Sequence, residues 1–198
     1  MICRKSDDDS INLCSQYLSN EKVVILPTDT VYGFSAIVND SADFSEPNAC
    51  PTDKKIRDIK GRSEKKPFIQ LIASPEDIYK YTLSKIPKKL FELWPGPLTV
   101  IVKDIRLAGK EIDTTAFRCP GDDWLRKIIG ECGKPLYSTS VNRSGFPVLD
   151  TEDEIVKEFS SDVDLIVLDG DKKKALPSTI IKIEDGDFVV LRQGSLRL

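Results

Sequence analysis

The sequence predicts a mixed α/β or α+β domain organised around one sheet, and three observations predict it. Short apolar runs, several of them β-branched, recur nine times along the 198 residues. Pro, Gly and Asp punctuate them, as turns between strands require. Between several runs lie brief segments with helical spacing and recognisable caps. The length suits one hydrophobic core, so the chain is expected to form one domain over residues 1–198.

In chain order, Ile11, Cys14 and Leu18 share one helical face and precede a strand at 23–26. A second strand is expected at 34–38. Residues 39–53 carry no pattern and read as a loop. Ile56 and Ile59 suggest a short helix that Gly61 ends, followed by a strand at 68–72. Ser74 supplies an N-cap hydroxyl, Pro75 the first helical position and Asp77 a carboxylate two residues on, for a helix carrying Ile78 and Tyr81. Pro87 opens another, with Leu90, Phe91 and Trp94 inward and Pro95 as its stop. Strands follow at 98–102 and 114–119. Asp122 caps a helix with Trp124, Leu125 and Ile128 inward, and the next strand lies at 136–139. Thr151 and Glu154 form a capping box before Ile155, Val156 and Phe159. Residues 165–168 form a fully apolar strand. The last two strands, 179–183 and 188–191, flank Asp185-Gly186, whose preference for positive φ predicts a hairpin.

Composition excludes several kinds of chemistry. There is no histidine, which removes Ser-His-Asp and Cys-His triads, His-ligated zinc and imidazole base catalysis. The cysteines at 3, 14, 50, 119 and 132 are odd in number and none are spaced as in a zinc ribbon, so they read as free thiols in a reducing compartment. The polar start has no apolar signal region, and the longest aliphatic runs are far short of the ~20 residues of a membrane span. A soluble, cytoplasmic protein without membrane contact is expected. There is no Walker loop, Gly-x-Gly-x-x-Gly or serine elbow, so nucleotide binding would have to use side-chain cations. The formal charge of −3 argues against a nucleic-acid coat over the whole surface but allows a local basic patch.

Such a patch is present. Residues 54–66 hold seven cations (Lys54, Lys55, Arg57, Lys60, Arg62, Lys65, Lys66) against Asp58 and Glu64. Clustered ammonium and guanidinium groups select phosphate and carboxylate oxygens. On charge alone, a solvated helix face with a basic end is the plainer reading. Tyr137 to Gly145 runs from an apolar strand into Ser138, Ser140, Asn142 and Ser144, short rigid groups that can line a ligand or simply make a turn. Pro27-Thr28-Asp29-Thr30-Val31-Tyr32-Gly33 likewise follows an apolar strand. Arg118 lies inside strand-like sequence, where an unpaired charge is costly, so it must meet an exposed face, a carboxylate or an anionic ligand. Arg192 adds a cation at the end of the last strand.

The ordered set Pro27 to Gly33, Lys60-Gly61-Arg62, Trp94-Pro95-Gly96-Pro97-Leu98-Thr99, Arg118, Ser140-Val141-Asn142, Pro177-Ser178-Thr179 and Arg192-Gln193-Gly194 resembles the YrdC-like family, the threonylcarbamoyl-adenylate synthases. The resemblance implies an open twisted mixed sheet flanked by helices, with a concave basic cavity. It implies that L-threonine, bicarbonate and ATP are joined into L-threonylcarbamoyl-adenylate with release of pyrophosphate, Mg²⁺ accompanying ATP and no protein-ligated metal. The threonylcarbamoyl group would then pass to adenosine 37 of tRNA, directly or through a transferase partner. By position, Lys60, Arg62, Ser140 and Asn142 are the implied catalytic set. Thr30, Arg118, Ser138 and Ser178 would meet threonine or its carbamate. Lys60, Arg62, Lys66, Thr114, Ser140 and Arg192 would meet ATP. The end of the chain soon after the last motif resembles the short single-domain members. Two alternatives stand beside the enzyme: a double-stranded RNA or tRNA-binding module of the same fold, and a paralogue with another nucleotide-dependent reaction.

Overall fold

The computed structural model describes residues 1–39, 51–62, 67–184 and 186–198. Its strands are β1 (Ile2–Arg4), β2 (Val24–Leu26), β3 (Gly33–Ile37), β4 (Ile69–Leu71), β5 (Leu98–Lys103), β6 (Thr114–Arg118), β7 (Leu136–Ser140), β8 (Leu165–Leu168), β9 (Thr179–Glu184) and β10 (Asp187–Arg192). They form one mixed sheet in the order β1-β8-β2-β3-β7-β4-β6-β5-β9-β10. β8 runs parallel to both β1 and β2, β4 to β6 and β5 to β9. The pairs β2–β3, β3–β7, β4–β7, β5–β6 and β9–β10 are antiparallel.

Helices α1 (Ser10–Ser19), α2 (Pro51–Lys60), α3 (Lys88–Phe91), α4 (Asp123–Cys132) and α5 (Glu152–Phe159) flank the sheet. Ile25 and Ile166 pack with Ile56 of α2 and with Ile155 and Phe159 of α5. Their strand neighbours Val24, Leu26, Leu165 and Val167 pack instead with Cys14 and Leu18 of α1 and Leu125 and Ile128 of α4. Side chains alternate across a strand, so β2 and β8 are covered on both faces. That explains why these strands are continuous apolar runs. A third cluster sits under β5, β6 and β9, closed by Ile78, Leu90 and Trp94.

The caps operate largely as expected. Asp122 accepts from the amides of Trp124 and Leu125 at 3.0 and 3.3 Å. Gly133, at φ +65°, terminates α4. Thr151 caps α5 by accepting from the Glu154 amide.

Four local expectations are corrected. β1 was not foreseen, because its three residues carry little pattern and are held by β8, far along the chain. Pro51, Thr52 and Asp53 belong to α2 rather than to a loop; Thr52 is anchored by donating to the Ile37 carbonyl at 2.7 Å. The remainder of that expected loop from Asp40, like Asp185 of the expected hairpin turn, lies outside the described residues. Pro75–Lys80 is a 3-10 helix that ends before Tyr81. The helix after Pro87 is a single turn, so Trp94 reaches the core from beyond it, with its indole donating to the Leu98 carbonyl at 2.6 Å.

Phe34 of β3 and Phe159 of α5 meet edge to face at a centroid distance of 4.9 Å, both fully buried. Phe159→Ala should cost about 3–5 kcal/mol of unfolding free energy. Chemical denaturation would check this, and a loss under ~1 kcal/mol would mean that α5 is not pinned through this ring.

Candidate active site

β3 and β7 pair with Gly33 opposite Ser140 and Ser35 opposite Ser138. The approach is close: a Cβ on residue 33 would lie 3.0 Å from the Ser138 hydroxyl. Glycine therefore lets Ser138 sit beside the loop that enters β3. In that loop the Thr28 hydroxyl donates to the Val31 carbonyl at 2.8 Å and accepts from the Thr30 amide at 3.1 Å. The two threonine hydroxyls are 3.0 Å apart. Since the Thr28 proton is already committed, Thr30 is the donor between them.

Thr30 also accepts from Nη1 of Arg118 at 2.9 Å. Arg118 is the last residue of β6 and is buried. Its Nε donates to the Gly96 carbonyl at 3.3 Å and its Nη2 to the Asp29 carboxylate. The internal carboxylate that a strand arginine calls for is thus Asp29. At the end of β10, Arg192 donates to the Ser178 carbonyl from Nη2 at 2.9 Å and from Nε at 3.2 Å. The Ser178 hydroxyl lies 2.7 Å from that of Thr99. Burial holds the Arg192 guanidinium below its ordinary pKa, and nearby Arg118 pushes in the same direction.

These groups surround one cavity of about 440 Å³. Thr30, Arg62, Arg118, Ser138, Ser140, Ser178 and Arg192 line it, among apolar surface from Val31, Phe68, Ile101 and Ile180. Three guanidinium side chains and no carboxylate are in its wall among the described residues. Seven of the eleven residues singled out from sequence are therefore brought together.

Lys60 and Asn142 lie behind the wall. Lys60 ends α2 and is buried. Its ammonium donates to the Ser140 carbonyl at 2.5 Å and to the Asn142 carbonyl and Oδ1, both at 2.9 Å. The Ser140 hydroxyl donates to the same Oδ1 at 2.9 Å, and the Asn142 amide group donates to the carbonyls of Arg143 and Phe146 at 2.9 and 2.8 Å. The Lys-x-Arg and Ser-x-Asn motifs are locked together. Gly61, at φ +62°, then turns the chain so that Arg62 rather than Lys60 lines the cavity. Burial lowers the Lys60 pKa to about 8, with the Arg62 charge adding to the shift.

Thr114 does not line this cavity. It faces a separate groove with Lys85, Lys103 and Lys182. Lys66 lies outside the described residues. Asp29 and Thr99 carry no local signal of their roles in the sequence, because a partner in tertiary structure is recognisable only once its strand neighbours are known. Among the described residues, no group of three or more His, Cys, Asp and Glu could hold a metal ion. No helix among them is long and apolar enough to cross a membrane. Burial pushes the thiols of Cys14 and Cys119 up to about 12 and that of Cys132 to about 11, which suits inert packing groups.

Residues 16–194 match the Sua5/YciO/YrdC family model, which bears the description "Telomere recombination". The threonylcarbamoyl-AMP synthase of Pyrococcus abyssi is 30% identical over 205 aligned positions, covering all of this chain and 57% of its own length. That of Buchnera aphidicola is 30% identical over 190 positions, with 91% of this chain and 94% of its own length covered. The crystal structure of P. abyssi Sua5 complexed with L-threonine superimposes with a TM-score of 0.80 at 28% identity, over 99% of this chain and 58% of that one. The chain thus spans a little over half the length of the P. abyssi relative and nearly all of the Buchnera one. With its motifs in order, its sheet superimposable and the family model matched over residues 16–194, this chain belongs to the Sua5/YciO/YrdC family.

Proposed function

We propose that this protein is an L-threonylcarbamoyladenylate synthase. The observation that carries the reading is the convergence of Arg62, Arg118 and Arg192 with Thr30, Ser138, Ser140 and Ser178 on one cavity. The names borne by its relatives support it. The reaction needs such a site. The amine of threonine condenses with bicarbonate, losing water, to a carbamate. A carbamate oxygen then attacks the α-phosphorus of ATP, and the bond to the β-phosphate oxygen breaks to release pyrophosphate. Both reactants are anions, so their repulsion must be suppressed while they are held in line.

Arg118 takes the threonine carboxylate, with Thr30 and Ser178 holding the amino acid. Arg62 and Arg192 take the phosphates, and Ser138 and Ser140 stand between the two substrates. Mg²⁺ enters on the phosphates of ATP, as part of that substrate. Lys60 acts through its neighbours: two of its donors go to the Ser140 and Asn142 carbonyls and one to Asn142 Oδ1, and together they fix the position of the Ser140 hydroxyl. The product is a mixed anhydride, which a transferase consumes by moving the threonylcarbamoyl group to adenosine 37 of tRNA.

Purified protein given ATP, Mg²⁺, bicarbonate and L-threonine should release pyrophosphate only when threonine and bicarbonate are both present. Release indifferent to threonine would overturn the reading. Arg62→Ala should lose about 1.5–3 kcal/mol of transition-state stabilisation, read from kcat/KM, because a charge-assisted phosphate contact is removed. Wild-type turnover would take Arg62 off the phosphates.

The Lys60 pKa has a consequence for stability. Folded, it is about 8; the ordinary value is 10.5. The cost of burying the charge is therefore fully present below about pH 8 and is relieved as pH rises toward 10.5. The unfolding free energy of wild type, taken relative to Lys60→Met at each pH, should increase across that window. A pH-independent difference in urea titrations would mean that the ammonium is not destabilised by burial.

A further inference from the structure

Arg118 can recognise a carboxylate only if its guanidinium plane is held in one orientation, and the groups that hold it are few. Five N–H groups are available on a guanidinium. Three are used inside the protein, on the Gly96 carbonyl, the Thr30 hydroxyl and Asp29 Oδ1. One N–H on each terminal nitrogen remains, the number that a carboxylate takes in a two-bond fork. Two of the three internal partners are neutral. Asp29 is the charged one, and its carboxylate is itself immobilised: Oδ2 accepts from the Gly121 amide at 2.9 Å.

Gly121 lies three residues beyond Arg118, so one carboxylate ties down both the end of β6 and the chain that leaves it. The space is fitted to this. A Cβ at position 121 would come within 3.1 Å of Asp29 Oδ2 and 3.6 Å of the Gly96 Cα. Asp29 itself does not line the cavity, and its side chain is 18% exposed. It is placed to act on Arg118 rather than on a ligand.

We propose that Asp29 is the positioning residue of the amino-acid subsite: by holding the Arg118 guanidinium edge toward the cavity, it sets the affinity for the substrate carboxylate. This rests on the synthase reading given above and adds the group through which affinity for the threonine carboxylate is set. A carboxylate that served stability alone would, when neutralised, lower the melting temperature and the active fraction but leave both Michaelis constants in place.

The test is steady-state kinetics on Asp29→Asn, which keeps the size and the acceptor for Gly121 while removing the charge. The KM for threonine should rise about tenfold or more, the scale of a charge-assisted bond lost from alignment, while the KM for ATP stays within about twofold. Gly121→Ala, which crowds the same oxygen, should shift the threonine KM in the same direction by less, and carries the test if Asp29→Asn does not fold. Unchanged threonine KM in folded variants, or equal rises for both substrates, overturns the proposal. Wild-type turnover without a threonine requirement would instead overturn the synthase reading. The positioning claim is then decided by a crystal structure of Asp29→Asn: an unmoved Arg118 guanidinium refutes it, and a rotated one upholds it.

Discussion

Cations brought into one hollow repel each other, and the site depends on how that repulsion is contained. Arg118, Arg192 and, behind the wall, Lys60 are held by acceptors that do not fill the cavity. Arg118 is fixed by Asp29, Thr30 and a carbonyl, Arg192 by the Ser178 carbonyl, and Lys60 by two carbonyls and an amide oxygen. Only one of these acceptors carries a charge. Neutral dipoles steady a cation without cancelling its field, so the potential toward a bound anion survives. The depressed pKa values of Lys60 and Arg192 are the visible cost of the arrangement. An anionic ligand would relieve that cost.

The sheet makes this possible by bringing strand ends together. β3, β7, β4 and β6 are neighbours in the sheet, although they lie in very different parts of the sequence. Their pairing sets the Thr30 loop, Ser138, Ser140 and Arg118 along one side, while β5 carries β9 and β10 beside them with Ser178 and Arg192. Rigid strands hold short side chains more accurately than loops do. The near contact of Gly33 with Ser138 shows how little room the register leaves.

The two lysine-and-arginine positions that look equivalent in the sequence do different work. Lys60 closes α2 with its side chain turned inward and saturated, whereas Arg62, one left-handed glycine later, lines the cavity. The motif Lys-x-Arg marks the place but not the division of labour. Asn142 is similar: half-buried and outside the cavity lining, its amide joins the Lys60 ammonium to the turn at Phe146.

Nine of the ten strands, the helix caps at Asp122 and Thr151 and most of the arginine, serine and threonine side chains that line the cavity were legible in the sequence, because they rest on local periodicity and on charge. The absence of histidine likewise fixed what chemistry could be ruled out. β1 was hidden, since three residues with a partner more than 160 positions away leave no local trace. The pairing of Arg118 with Asp29, the burial of Lys60 and the separation of Thr114 from the cavity were hidden for the same reason. Side-chain period and capping are decided by neighbours in the chain. Which cation meets which acceptor is decided by neighbours across the sheet, and only the folded structure brings those together.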